Sequence, residues 1–216
     1  MTDPKTDMAE PAEIEALFTR GDGQFLLARW GRPIAPMVIG VDDATLAIVK
    51  GAFEAVASLI DRPMLTETDP ELGANCMVFF FRDWEELRDV PDLDRLIPDL
   101  GPLLDRLVAA GANQYRVFRF DGEGAIMAAF VFLRMDEEMS AVPAEELALS
   151  QVAQSLLTWS DAAFRDRSVL ARVGETTILR PDIAALIRAA YDPVLPAVER
   201  DPAMALRLAA RMQVGR

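Results

Sequence analysis

The sequence predicts an α+β domain, with a mixed sheet of four to five strands packed against helices and further helices at the C-terminus. Three observations lead there. The run Asn75-Cys76-Met77-Val78-Phe79-Phe80-Phe81 is too uniformly apolar for a half-exposed strand, so it reads as a central strand covered on both faces. Residues 114–120 and 125–135 read as a hairpin turning at Asp121-Gly122-Glu123-Gly124. Residues 42–60, 143–156 and two C-terminal stretches instead carry apolar side chains at helical spacing.

Taken in order, residues 2–11 are polar, and residues 12–19 make a short helix that ends before Gly21 and Gly23 and lies as a lid over the sheet edge. We treat residues 1–23 as a tail with that helix and residues 24–216 as a single α+β domain. Residues 24–30 and 34–39 are apolar, with Gly31 and Pro33 between them, and read either as two strands or as one bent strand. Asp42 and Asp43 cap a helix in which Leu46, Val49, Phe53, Val56 and Ile60 recur on one face, until Arg62-Pro63 stops it. Residues 64–73 are polar and form a loop.

Pro91, Pro98 and Pro102 break residues 83–111 into two or three short helices, the last over residues 103–110, which cover one sheet edge. Arg116 and Arg119 flank the hairpin's first strand; an anion is one partner for them, and surface carboxylates are the commoner one on so acidic a chain. Pro143 suits the first helical position, and Glu145 and Glu146 then face the positive end of the helix dipole. After a polar, turn-rich stretch from Ser160 to Ser168, Arg180-Pro181-Asp182 opens a helix with Ile183, Leu186, Ile187 and Ala190 facing the core. Asp201-Pro202 caps a last helix whose Met204, Leu208 and Met212 pack on their own domain.

Composition narrows the chemistry. The 216 residues are 51% hydrophobic, enough for a sizeable core, and the net charge of −13 repels phosphate backbones and anionic membranes. Nucleic acid and membrane are therefore not expected partners. With no histidine, every Ser-His, Cys-His and His-ligated zinc mechanism is excluded. The lone cysteine, Cys76, sits in the apolar strand and reads as an inert core residue. The start lacks a basic segment followed by a long apolar one, so the chain as given is expected in the cytoplasm, or exported if its start has been trimmed.

On the helix from Pro143, Leu149, Val152, Ala153 and Leu156 form one apolar stripe, while Leu147, Ser150, Gln151 and Gln154 share another face. That second face has the spacing of the zinc-protease motif His-Glu-x-x-His, in which two imidazoles one turn apart hold the metal and the Glu activates its water. Here Ser150, Gln151 and Gln154 stand in those three places. Together with Glu145-Glu146 before them, Ser155-Leu156-Leu157 after them and the Ser160-Asp161 turn, they resemble a zincin-like family of uncharacterised bacterial proteins. That family's helix runs Glu-Glu to Gln-Ala-Leu-Gly-Leu and is followed by Asn-Asp and a Ser-rich turn. Trp30-Gly31-Arg32-Pro33-Ile34 is similar to its Trp-x-x-Pro-Ile feature, which lies in one long first strand, so the resemblance implies a single broken strand over residues 24–39.

The resemblance implies a zincin-like fold whose protease helix has lost its chemistry. A glutamine amide takes no proton from water, and amides and hydroxyls are weak zinc ligands beside imidazole. We therefore expect no catalytic residue, no metal and no cofactor, and a cleft face of Ser150, Gln151, Gln154 and Asp161 that is kept for packing or hydrogen-bonds a peptide or protein partner. Two other readings compete. A hydrolase or transferase working through carboxylates needs two of Asp83, Glu85, Asp136, Glu138 and Asp161 to converge. An interaction module needs Trp84, Trp159 or the last helix as an exposed anchor.

Overall fold

The computed structural model describes residues 9–60 and 73–214. The loop expected over residues 64–73 lies outside them except for Gly73, as does most of the polar start. The fold is α+β. Strands β2 (Pro36–Ile39), β3 (Cys76–Phe81), β4 (Gln114–Phe120) and β5 (Ile126–Arg134) form a four-stranded mixed sheet in the order β2-β3-β5-β4. β2, β3 and β5 run parallel, and β4 returns antiparallel as one edge.

The uniform apolarity of β3 follows from its place between β2 and β5. Its side chains alternate between two cores, as period-2 geometry requires of a strand covered twice. Cys76 and Val78 point to the larger core with Ala129, Val131 and Leu133 of β5; Phe79 and Phe81 point to the smaller one with Phe130 and Phe132. Phe79 and Phe132, directly opposite in the register, stack with ring centroids 5.0 Å apart.

The larger core is closed by helices α2 (Asp43–Ile60), α6 (Ala144–Gln154), α7 (Pro181–Ala190) and α8 (Met204–Val214). Asp42 starts α2, its carboxylate accepting from the Thr45 N–H at 2.8 Å, and Val49, Phe53, Val56 and Ile60 are buried along one face. In α7 and α8 the expected stripes are buried in full, Met204, Leu208 and Met212 included.

Helix α1 (Pro11–Phe18) is no lid over the sheet edge: Ile14 and Phe18 are fully buried, and the helix packs against α8. Residues 24–39 are likewise not one broken strand. Strand β1 (Leu27–Ala28) pairs with β8 (Val198–Glu199) in a separate small sheet, Trp30 makes a single parallel bridge to Ile126 of β5, and β2 is the part that runs as a strand of the main sheet. The cause lies at Gly31 and Pro33. A side chain at Gly31 would meet Ala125 Cβ at 2.9 Å, and Pro33 has no N–H to donate to a ladder, so the chain turns between the two sheets.

The segment after β3 forms a 3-10 turn (Trp84–Asp89), α3 (Leu93–Leu96) and α4 (Leu100–Ala109), the last starting three residues before its expected position because Pro102 is tolerated in a first turn. These helices cover a face of the sheet, burying Phe79, Phe81, Phe130 and Phe132, and not an edge. The stretch before α7 also holds a hairpin, β6 (Leu170–Val173) and β7 (Thr176–Leu179), which the polar flanks concealed; Gly174, at φ +61°, supplies its turn. No helix among the described residues is long and apolar enough to cross a membrane.

Candidate functional site

Helix α6 is held firmly at both ends. Pro143 is its N-cap and not its first residue: at ψ 137° it is still extended, and its carbonyl accepts from the Leu147 N–H at 3.0 Å. At the other end the Trp30 indole donates to Ser155 O at 2.8 Å and the Tyr191 hydroxyl to Leu156 O at 2.9 Å, satisfying carbonyls that a helix end would leave orphaned. The chain then runs antiparallel to β1, where Thr158 Oγ accepts from the Ala28 N–H and donates to Leu26 O. Ser160 is tied to α1 by its N–H, 2.8 Å from Leu17 O.

With Val152, Ala153 and Leu156 buried in the larger core, the opposite face of α6 looks across to β4. Between them opens a cavity of about 1080 Å³. Its lining includes Gln114, Arg116 and Phe118 of β4, Ser150, Gln151 and Gln154 of α6, and Trp159, Asp161 and Phe164 from the turn that follows. All four residues expected from the sequence, Ser150, Gln151, Gln154 and Asp161, therefore border one space. Trp159 forms part of the wall, stacked on Phe18 at 5.1 Å and edge-on to Phe164 at 4.9 Å. Phe164 holds φ +121°, a conformation costly for a bulky residue and found where surrounding contacts impose it.

The polar groups on this face are not equally free. Gln154 Nε2 donates to Ser150 Oγ at 2.9 Å, so these two occupy each other along one helical turn. Gln151 is buried and bridges to the sheet, its Nε2 donating to Gln114 Oε1 at 3.0 Å while its Oε1 accepts from Arg116 Nη2 at 2.5 Å. Asp161 is exposed at the rim.

Arg116 is the residue that the sequence reading undervalued. It pairs with no surface carboxylate, since no ion pair is formed by it among the described residues. Its single hydrogen bond goes to Gln151, a neutral amide, and its Nε is sealed from solvent without a partner. Burial accordingly pushes the guanidinium down to about 10, and it still carries its charge at neutral pH. The signal for its place was the two-residue period of β4, which puts Gln114, Arg116 and Phe118 on the side facing α6 and sends Arg119 to the other side, where it donates to Leu96 O.

Among the other candidates, Cys76 is fully buried and burial pushes its thiol up to about 12. Of the five carboxylates considered for acid/base work, only Asp161 lines the cavity. Asp83 caps the 3-10 turn, Glu85 pairs with Arg88 at 2.6 Å, and Asp136 pairs with Arg134 at 3.0 Å while capping the short helix α5 (Glu137–Ser140). Among the described residues no three His, Cys, Asp or Glu side chains gather as a metal site would require. Trp84 is buried, its indole donating to Ala112 O, so it presents no anchor to a partner. Comparison with models of protein families, with curated proteins and with solved structures found no match.

Proposed function

We propose that the chain is a non-catalytic, zincin-like binding protein whose cleft between α6 and β4 takes an extended peptide or protein segment. The observation that carries this reading is the way the cavity meets β4. Residues from both alternating sets of that strand, Gln114, Arg116 and Phe118 on one side and Tyr115 and Val117 on the other, border the same space. With Tyr115 and Val117 packed toward the smaller core, a cavity that meets them as well as Gln114, Arg116 and Phe118 lies against the backbone of β4, where an extended segment would run. Among the described residues no strand lies on the outer edge of β4, which leaves its outward N–H and C=O groups to a further strand.

Size supports the same reading. The cavity is at or above the upper end of the range for small-molecule pockets, about 300–1,000 Å³. Its wall combines apolar surfaces from Phe118, Trp159 and Leu147 with amides and a hydroxyl, a mixture suited to side chains and backbone of a peptide. The lack of catalysis rests on donor chemistry. Where a zinc protease carries two imidazoles and a carboxylate, this helix carries Ser150, Gln154 and Gln151, and neither an amide nor a hydroxyl works as the general base.

The test is selection of random peptides on the immobilised protein, followed by incubation of the selected peptides with it in the presence of zinc. Peptides that bind, stay intact and lose binding to Gln154→Trp, which fills the cavity from a half-buried helical position, are the expected result. Cleavage, or binding indifferent to that substitution, overturns the reading.

A further inference from the structure

Resting on the reading of the cleft as a peptide site, we propose that Arg116 recognises a carboxylate on the bound segment. A guanidinium carries five N–H donors, and one of the five is used here. A buried charge normally has a counterion, because removing an ion from water costs several kcal/mol that only an opposite charge or several hydrogen bonds return. The described protein supplies Arg116 with one amide oxygen and no carboxylate. Arg116 is half-buried, with its Nε sealed, and it lines the cavity, so a counterion can reach it from there.

The surroundings define the class of anion. Three arginines, Arg20, Arg116 and Arg165, and three carboxylates, Glu146, Asp161 and Asp166, line the cavity, so its own charges balance and, in a chain of net charge −13, a singly charged anion is repelled less than a doubly charged phosphate. The planar fork of Arg suits a carboxylate, with which it forms two parallel N–H···O bonds. Gln151 holds that fork in place: its Oε1 accepts from Nη2, and its own Nε2 is fixed by Gln114.

Three libraries of N-acetylated heptapeptides separate the sources of the carboxylate. One contains Asp and Glu and ends in an amide, one lacks Asp and Glu but ends in a free carboxylate, and one lacks both. We expect the protein to retain at least one of the first two over the neutral library by about 10- to 100-fold, the preference of a charge-assisted hydrogen bond over its absence. Arg116→Gln abolishes the preference and Arg116→Lys restores part of it. In the unsubstituted protein the Arg116 Nε–H resonance shifts on adding retained peptides, a readout independent of any variant's folding. Equal retention of all three libraries, or an unmoved resonance, overturns the assignment to Arg116 and leaves the peptide cleft standing. Retention of none overturns both.

Discussion

Arg116 Nη2 donates to Gln151 Oε1 at 2.5 Å, and this bond joins the edge strand β4 to helix α6 across the floor of the cavity. The pair is a half-buried cation resting on a buried neutral amide. Its two members are unequal, because among the described residues the guanidinium has no other partner while the amide is also held by Gln114.

Removing the acceptor alone should therefore be costly. Gln151→Leu leaves the Arg116 guanidinium with no hydrogen bond and is expected to destabilise the protein by about 1.5–3 kcal/mol, the range for bonds to charged groups. Replacing both partners, in Arg116→Met with Gln151→Leu, removes the orphaned charge as well and should recover most of that loss. A urea-unfolding double-mutant cycle measures it. Additive losses would show that the two side chains do not interact.

That relationship shows why the sequence was only partly legible. Helix α6 was legible from its helical spacing, the buried strand β3 from its uniform apolarity, and the hairpin β4–β5 from β-forming residues on either side of a Gly-containing turn. The face of α6 carrying Ser150, Gln151 and Gln154 followed from the same spacing. What lies opposite that face did not, because Gln114 and Arg116 meet Gln151 from 37 and 35 residues away. Short elements were the other loss. The two residues of β1 owe their partner to residues near 198, and the split of residues 24–39 between two sheets depends on a contact of Gly31 with Ala125 that no local pattern announces.

Gly40 is a second point where backbone geometry leaves no choice. It holds φ +89°, and a Cβ there would lie 2.0 Å from Phe80 O, inside the sheet that β2 and β3 share. Gly40→Ala combines a left-handed conformation with a backbone clash and should cost about 2–5 kcal/mol. Gly21→Ala, where nothing stands within 4 Å, is the control and should be near neutral. Equal unfolding midpoints for the two would contradict the close approach at Phe80.

Cys76 offers a chemical probe of the core. Its thiol is fully buried and pushed up to about 12, so at pH 8 both access and thiolate are lacking. A thiol reagent should label the folded protein only as fast as it unfolds, with labelling becoming immediate in denaturing urea. Rapid labelling of the native protein would place Cys76 at a surface.

The last prediction concerns pH. Asp182, in the first turn of α7, is 3% exposed and takes both oxygens to Arg180, at 2.8 Å from Nε and 2.6 Å from Nη2. Burial pushes its carboxyl up, but the hydrogen bonds and charge of Arg180, with the charge of Arg167, outweigh that and hold it below the ordinary carboxylate value. A carboxyl lowered in the folded state stabilises the protein above its unfolded value, about 3.9, and that contribution is lost as pH falls through the lower folded value. Asp182→Asn removes the charge and leaves Arg180 without a counterion, which should cost about 3–5 kcal/mol at neutral pH. It should also remove the part of the acid-range decline that Asp182 causes, so the two proteins converge in stability as pH falls below about 3.9. Unfolding curves that stay parallel down to pH 2 would show that the pair contributes nothing through its charge.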